Sequence, residues 1–196
     1  MVMPAPLPLH PDTSRHDWTV ERVNALPDDG NRYEVIDGEL LVTPAPSWVH
    51  QRAVFKLATR MEAYAELHGL DVLVAPAAVT FSGRREVQPD FFVAPMIGGR
   101  YAARFEEVKR LVLAVEVVSP SSARSDRHRK RELYKSEGVP EYWIVDPDAR
   151  LVERWRPNDE RPEILAELLS WAPIEGTAPL VIDLPAYFRR VFGESS

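Results

Sequence analysis

Cysteine is absent from this 196-residue chain, which excludes disulfides, iron–sulfur clusters and cysteine-ligated zinc. No apolar run approaches the roughly 20 residues that a membrane-spanning helix needs. An excess of positive charge is missing as well. The formal net charge is −6, so a protein that coats nucleic acid with a broadly basic surface is not expected. A local basic strip remains open, because a sum is silent about distribution. The opening segment Met1-Val2-Met3-Pro4-Ala5-Pro6-Leu7-Pro8 has neither the basic start nor the unbroken apolar stretch of a secretory signal. These absences together predict a cytoplasmic protein that is not embedded in a membrane.

What is present suffices for a core: 45% of residues are hydrophobic and 28% are charged, as in one globular domain. Proline is abundant, at 18 residues, against a usual share of about 5%. Residues 1–16 read as an extended tail, and 17–196 as a single domain. Asp17 to Leu26 suits a short helix. Tyr33–Ile36 and Glu39–Val42 flank Asp37-Gly38, a two-residue hairpin turn that sets Ile36 against Glu39 and Glu34 against Leu41. Ser47 is placed to cap a helix on which Val54, Leu57, Ala58, Met61, Tyr64 and Ala65 recur at helical spacing, with Gly69 as its stop. Strands are expected at 71–75, 77–82, 87–94 and 111–118, with a loop over 97–109. After the break at Ser119-Pro120-Ser121-Ser122, a polar helix runs from Ser125 to Glu137. It is followed by a strand at 141–145, a hairpin from 151–155 and 163–169, and a closing helix at 185–192. The order strand–turn–helix–strand over 111–146 suits a crossover between parallel neighbours. The fold class is α/β or α+β, a mixed sheet flanked by helices.

One side chain disagrees with its surroundings. Glu116 interrupts Leu111-Val112-Leu113-Ala114-Val115-Glu116-Val117-Val118, a run with the composition of a buried strand. A carboxylate there needs a cation, a proton or hydrogen bonds. Asp90, between Pro89 and Phe91-Phe92-Val93, poses the same problem. Hard divalent cations take carboxylate oxygens, substrate phosphate and water. Asp90 and Glu116, completed by the Val117 carbonyl, are therefore candidate ligands for Mg²⁺, with Mn²⁺ as substitute. Such an ion polarises a phosphoryl oxygen and acidifies water. Lys130, 14 residues after Glu116 on the crossover helix, is the candidate ammonium for transition-state charge. Glu34 is a candidate further ligand. The same helix carries Arg124, Arg127, Arg129 and Arg131 as candidate phosphate contacts, and Arg84-Arg85 make a second small basic patch.

Each residue also has a plain structural reading. Asp90 suits a strand-end carboxylate bonded to backbone, and Glu116 the partner of a buried arginine. Glu34 suits a solvated hairpin position, Lys130 a solvated helix face, and His50 a capping or packing residue. The five histidines show no metal-ligand spacing.

The ordered set is specific. It comprises Tyr33-Glu34-Val35-Ile36-Asp37-Gly38-Glu39-Leu40, then Pro44, Ser47 and His50, then Pro89-Asp90 and Val115-Glu116-Val117-Val118-Ser119-Pro120-Ser121-Ser122. Asp126, Lys130, Tyr134, Gly138-Val139 and Glu141-Tyr142-Trp143-Ile144-Val145-Asp146-Pro147 complete it. Over about 17–190 the chain closely resembles the Uma-type restriction endonucleases of the PD-(D/E)XK nuclease superfamily. The resemblance implies a restriction-endonuclease-like core with an N-terminal hairpin and a C-terminal hairpin extension, and Mg²⁺-dependent hydrolysis of DNA phosphodiester bonds. It gives Asp90 and Glu116 the roles of the superfamily's acidic pair and Glu34 that of its accessory glutamate. The superfamily lysine belongs two residues after the glutamate, where Val118 stands; the Uma-type pattern moves it to the following helix, onto Lys130. A homodimeric endonuclease acting on both strands of DNA is the first expectation. A catalytically inactive nucleic-acid-binding or regulatory module on the same fold is the second. A protein-interaction scaffold using Trp143, Trp155 and Trp171 is the third.

Overall fold

The computed structural model describes residues 11–119 and 123–194. Most of the expected tail, and the turn at 120–122, lie outside the described residues. Chain contacts divide the protein into two compact units.

The first unit comprises the residues up to Ala45 together with Thr80–Val87. Helix α1 (Val20–Asn24) starts where the Thr19 hydroxyl accepts the Arg22 amide. Strands β1 (Arg32–Ile36) and β2 (Glu39–Thr43) pair in the predicted register, Ile36 against Glu39 and Glu34 against Leu41. Asp37 (φ 53°) and Gly38 (φ 89°) both have positive φ, as the tight turn matched to strand twist requires. Strands β4 (Val79–Ser82) and β5 (Arg85–Val87) complete a sheet ordered β2-β1-β5-β4. Trp18, Val23, Tyr33, Val35 and Leu40 form the core of this unit. Arg84 donates to the carbonyls of Asp37 and His16, each at 2.9 Å, and Arg85 Nε to Asp37 Oδ1 at 2.6 Å. The expected second basic patch is thus a clasp on the hairpin turn.

The second unit is built on six strands in the order β10-β9-β8-β7-β6-β3. These are β3 (Leu70–Val74), β6 (Phe91–Pro95), β7 (Leu113–Val117), β8 (Glu141–Asp146), β9 (Leu151–Trp155) and β10 (Glu163–Leu165). Within this sheet β7 and β8 run parallel and the other neighbours antiparallel, so the expected crossover holds and the sheet is mixed. Side chains alternate across it. Phe91, Val93, Leu113, Val115, Val117, Trp143 and Val145 join the main core with α2 (Trp48–Leu67) and α5 (Leu184–Phe192). Helix α2 is capped by Ser47, which accepts the His50 amide, and it buries Ala53, Val54, Leu57, Met61 and Ala65. Each larger aliphatic side chain among them contributes about 1.5–3 kcal/mol when fully buried. Gly69, at φ 70°, follows the helix end as expected.

Three segments differ from the sequence reading. The strand expected at 87–94 is two strands in different sheets, β5 ending at Val87 and β6 starting at Phe91. Pro89 lies in the gap and has no N–H to give a ladder, so Asp90 stands at the mouth of β6. The stretch 163–169 also divides: β10 pairs with β9, whereas β11 (Leu168–Trp171) pairs with β12 (Leu180–Asp183), which the sequence did not announce. The polar helix changes pitch. It begins as α3 (Ala123–Ser125), passes through a π-helical turn at Asp126–Lys130 and continues as α4 (Arg131–Ser136), ending before Gly138 at φ 68°.

Candidate functional site

Glu116 is only 1% exposed in β7, on the sheet face opposite the main core. The cation it requires is Lys130: Nζ lies 2.9 Å from Glu116 Oε1, and the lysine is itself 2% exposed. The Tyr134 hydroxyl donates to the same Oε1 at 3.1 Å. Asp126 Oδ1 also lies 3.7 Å from Nζ. Lys130 therefore lies close to two buried carboxylates, neither on a solvated helix face nor replaced by an arginine.

The helix explains the grouping. Asp126, Lys130 and Tyr134 recur every four residues and form one inward line, while Arg124, His128 and Arg129 lie towards solvent. The Tyr142 hydroxyl, from β8, donates to the Asp126 carbonyl at 3.0 Å and fixes the π-helical turn. The rings of Tyr134 and Tyr142 pack with centroids 4.8 Å apart. Burial pushes the Tyr142 phenol well above its usual range, and the nearby Asp126 and Glu116 carboxylates add to the effect. Tyr142 thus stays a donor at neutral pH.

Asp90 is also buried. The β6–β7 register pairs Phe91 with Val115, and its extension by one residue sets Asp90 opposite Glu116. Asp90 Oδ2 accepts the Val117 amide at 2.7 Å and meets His50 Nε2 at 2.9 Å. Its backbone carbonyl accepts the Ala75 amide at 3.0 Å. The strand-end reading of Asp90 is thus correct in part: backbone does hold the carboxylate, and a histidine from the first turn of α2 holds it too. The contact of Val117 with Asp90 is through its N–H. Glu34 belongs to the first unit, where β1 buries it with Oε2 3.9 Å from Arg32 Nε.

The four helix arginines divide into two pairs. Arg127 is engaged with Glu153 at 2.7 Å and Asp146 at 3.0 Å. Arg131 lies over the Trp155 ring at 3.9 Å and donates to the Asp159 carbonyl. Arg124 and Arg129 line an open basin of about 560 Å³ with Ser125 and His128. Asp126, Tyr134 and Tyr142 are the site residues to which sequence reasoning gave no role, and His50, read as a capping or packing residue, also holds Asp90. The four-residue spacing of Asp126, Lys130 and Tyr134 was the available signal.

Among the described residues, no group of three or more histidine, aspartate and glutamate side chains stands ready for a metal ion. A hard divalent cation fits the donors that are present. Asp90, just before β6, and Glu116, on the neighbouring β7, are oxygen donors, both buried, and both already held in place by neighbouring donors. A magnesium site commonly needs one or two carboxylates, with water and phosphate supplying the rest.

The profile of the Uma2 family, described as "Putative restriction endonuclease", matches residues 20–180. Among solved structures, the chain is similar to a protein from Anabaena variabilis described as "a putative nuclease belonging to DUF820". The TM-score is 0.72 at 18% identity, covering 89% of this chain and 99% of that one. At that identity the likeness carries the fold. No curated protein matches the chain. No helix among the described residues is long and apolar enough to cross a membrane.

Proposed function

The chain belongs to the Uma2 family, and from that premise we propose a cytoplasmic, Mg²⁺-dependent endonuclease that hydrolyses DNA phosphodiester bonds as a homodimer. The observation that carries this reading is the buried Lys130–Glu116 pair beside Asp90. It supplies an acidic pair and an ammonium in one place even though Val118 fills the position two residues after the glutamate.

In this reading Asp90 and Glu116, with the Val117 carbonyl, hold Mg²⁺ or Mn²⁺. When bound, the ion supplies Lewis-acid polarisation of phosphate and a more acidic water. The remaining work belongs to the chain. The Val117 amide and His50 orient Asp90, and Tyr134 orients Glu116. Lys130 offsets Glu116 in the free protein, and with substrate present it offers its ammonium to the charge developing on phosphate. Asp126 keeps that ammonium in place. Arg124 and Arg129 are the stronger candidates for DNA phosphate contacts, because they border the open basin.

Plasmid cleavage in Mg²⁺ or Mn²⁺ tests the proposal. Wild type should cut, and Asp90→Asn and Glu116→Gln should not. The resemblance also gives Glu34 an accessory role. Glu34→Gln tests it separately, with slower cleavage by a normally folded chain as the expected result. The closed Lys130–Glu116 pair also suits a module that binds nucleic acid without cutting it. DNA binding by a wild type that fails to cleave in the presence of any divalent ion would establish that reading.

A further inference from the structure

Helix α2 presents two very different faces. One carries the aliphatic core, and His50 at its start reaches Asp90. The other leaves Trp48 86% exposed and Phe55 63% exposed. Two large rings in water on one helix call for an occupant. At 100° per residue, Trp48 and Phe55 lie on one stripe. Arg52, Lys56 and Arg60, all exposed, make a second stripe beside it, and Lys56 Nζ lies 5.7 Å from the Phe55 ring centroid. From Trp48 to Met61 the sequence has no carboxylate, although the whole chain carries a net charge of −6.

We infer that this face of α2, formed by Trp48, Arg52, Phe55, Lys56 and Arg60, binds an unpaired DNA strand, with bases stacking on the rings and phosphates meeting the cations. The inference rests on the nuclease reading for its ligand class and adds which form of DNA the protein holds. Three arguments select the occupant. An exposed ring can stack only on a base whose face is free, and bases inside a duplex cover one another. A second copy of the chain, docking through the same face about a two-fold axis, would set three cations against three cations. Protein interfaces are enriched in arginine and aromatic residues but depleted in lysine, so Lys56 beside the Phe55 ring, on a stretch without a carboxylate, favours a polyanion. Trp48 and His50 are two residues apart on opposite sides of α2, so the stripe begins within about one helix diameter, roughly 10–12 Å, of Asp90.

Fluorescence anisotropy of the full chain in EDTA tests the inference without cleavage, using labelled oligothymidylate and a blunt duplex of equal length. The oligothymidylate should bind more tightly than the duplex. The double variant Trp48→Ala/Phe55→Ala should weaken oligothymidylate binding roughly 10- to 100-fold, as expected when one or two bases no longer stack. Replacing Arg52 and Lys56 by glutamine should reduce the slope of log affinity against log salt by about 0.7 for each phosphate that is no longer neutralised. All these side chains are exposed, so folding should be unaffected. Unchanged affinity in the aromatic double variant overturns the inference. So does equal binding of strand and duplex, or a change from dimer to monomer in sedimentation with DNA binding intact. A wild type that binds oligothymidylate through α2 but cuts nothing with Mg²⁺ or Mn²⁺ removes the nuclease reading and leaves this one standing.

Discussion

Lys130 Nζ sits 2.9 Å from Glu116 Oε1, with both residues almost wholly withdrawn from solvent. A buried ion pair of this kind is weak evidence for stability in itself, but removing one partner leaves a bare charge in a poorly polarisable setting. Lys130→Met should therefore lower unfolding free energy by about 3–5 kcal/mol in urea titrations without divalent ions. Added Mn²⁺ should recover part of the loss by compensating Glu116 in place of the ammonium. Wild-type stability in the variant would show that the pair is not isolated from water.

The same lysine has a separable catalytic role. In Lys130→Ala, DNA cleavage should fall to background while Mn²⁺ affinity by calorimetry stays within a few-fold of wild type. Normal cleavage would move the ammonium role to another basic residue of the crossover helix.

Asp90→Asn and Glu116→Gln keep size and lose charge. Each should abolish cleavage and weaken Mn²⁺ binding, and retain DNA binding in gel shifts. Glu116→Gln also takes from Lys130 the closer of its two carboxylates and leaves Asp126 at 3.7 Å, so it should destabilise the protein more than most surface substitutions. A cleaving Asp90→Asn chain would contradict its assigned role.

Tyr142 gives an alkaline signature. Its folded-state pKa lies above that of the unfolded chain because of burial, then the neighbouring carboxylates. Above pH 10 the folded state therefore holds a proton that the unfolded state has released, and stability falls as pH rises, by up to about 1.4 kcal/mol per pH unit for one such group. Tyr142→Phe should show a shallower fall between about pH 10 and 11 than wild type. Equal slopes would mean that the phenol ionises freely in the fold.

Leu57 is 1% exposed on the core face of α2. Leu57→Ala should cost about 2–5 kcal/mol by leaving a cavity, and the exposed Trp48→Ala should cost almost nothing in the same urea titration. Equal losses would invalidate the assignment of the two helix faces.

Local chemistry made much of this legible from sequence. Asp37-Gly38 revealed the hairpin and its register because few residues accept positive φ there. Ser47, the apolar spacing of α2 and Gly69 marked that helix nearly residue by residue. The crossover between β7 and β8 followed from an apolar strand, a polar helix and a second apolar strand. The failures arise where tertiary position decides. Strand β12 is four residues long and carries no pattern of its own. Pro89 divided one apolar stretch between two sheets. The charged neighbours of Lys130 offered a solvated helix face as the alternative to its candidate site role, and the side chain instead turns inward to Glu116 and Asp126. The contact of His50 with Asp90 depends on where the start of α2 lands against β6, information that neither segment contains.

The most direct test of the central claim is anomalous diffraction from crystals soaked in Mn²⁺. The account predicts one strong peak at about 2.0–2.2 Å from carboxylate oxygens of Asp90 and Glu116, lost in Asp90→Asn. Saturating Mn²⁺ with no peak between those two side chains, or with its strongest peak elsewhere, would contradict it.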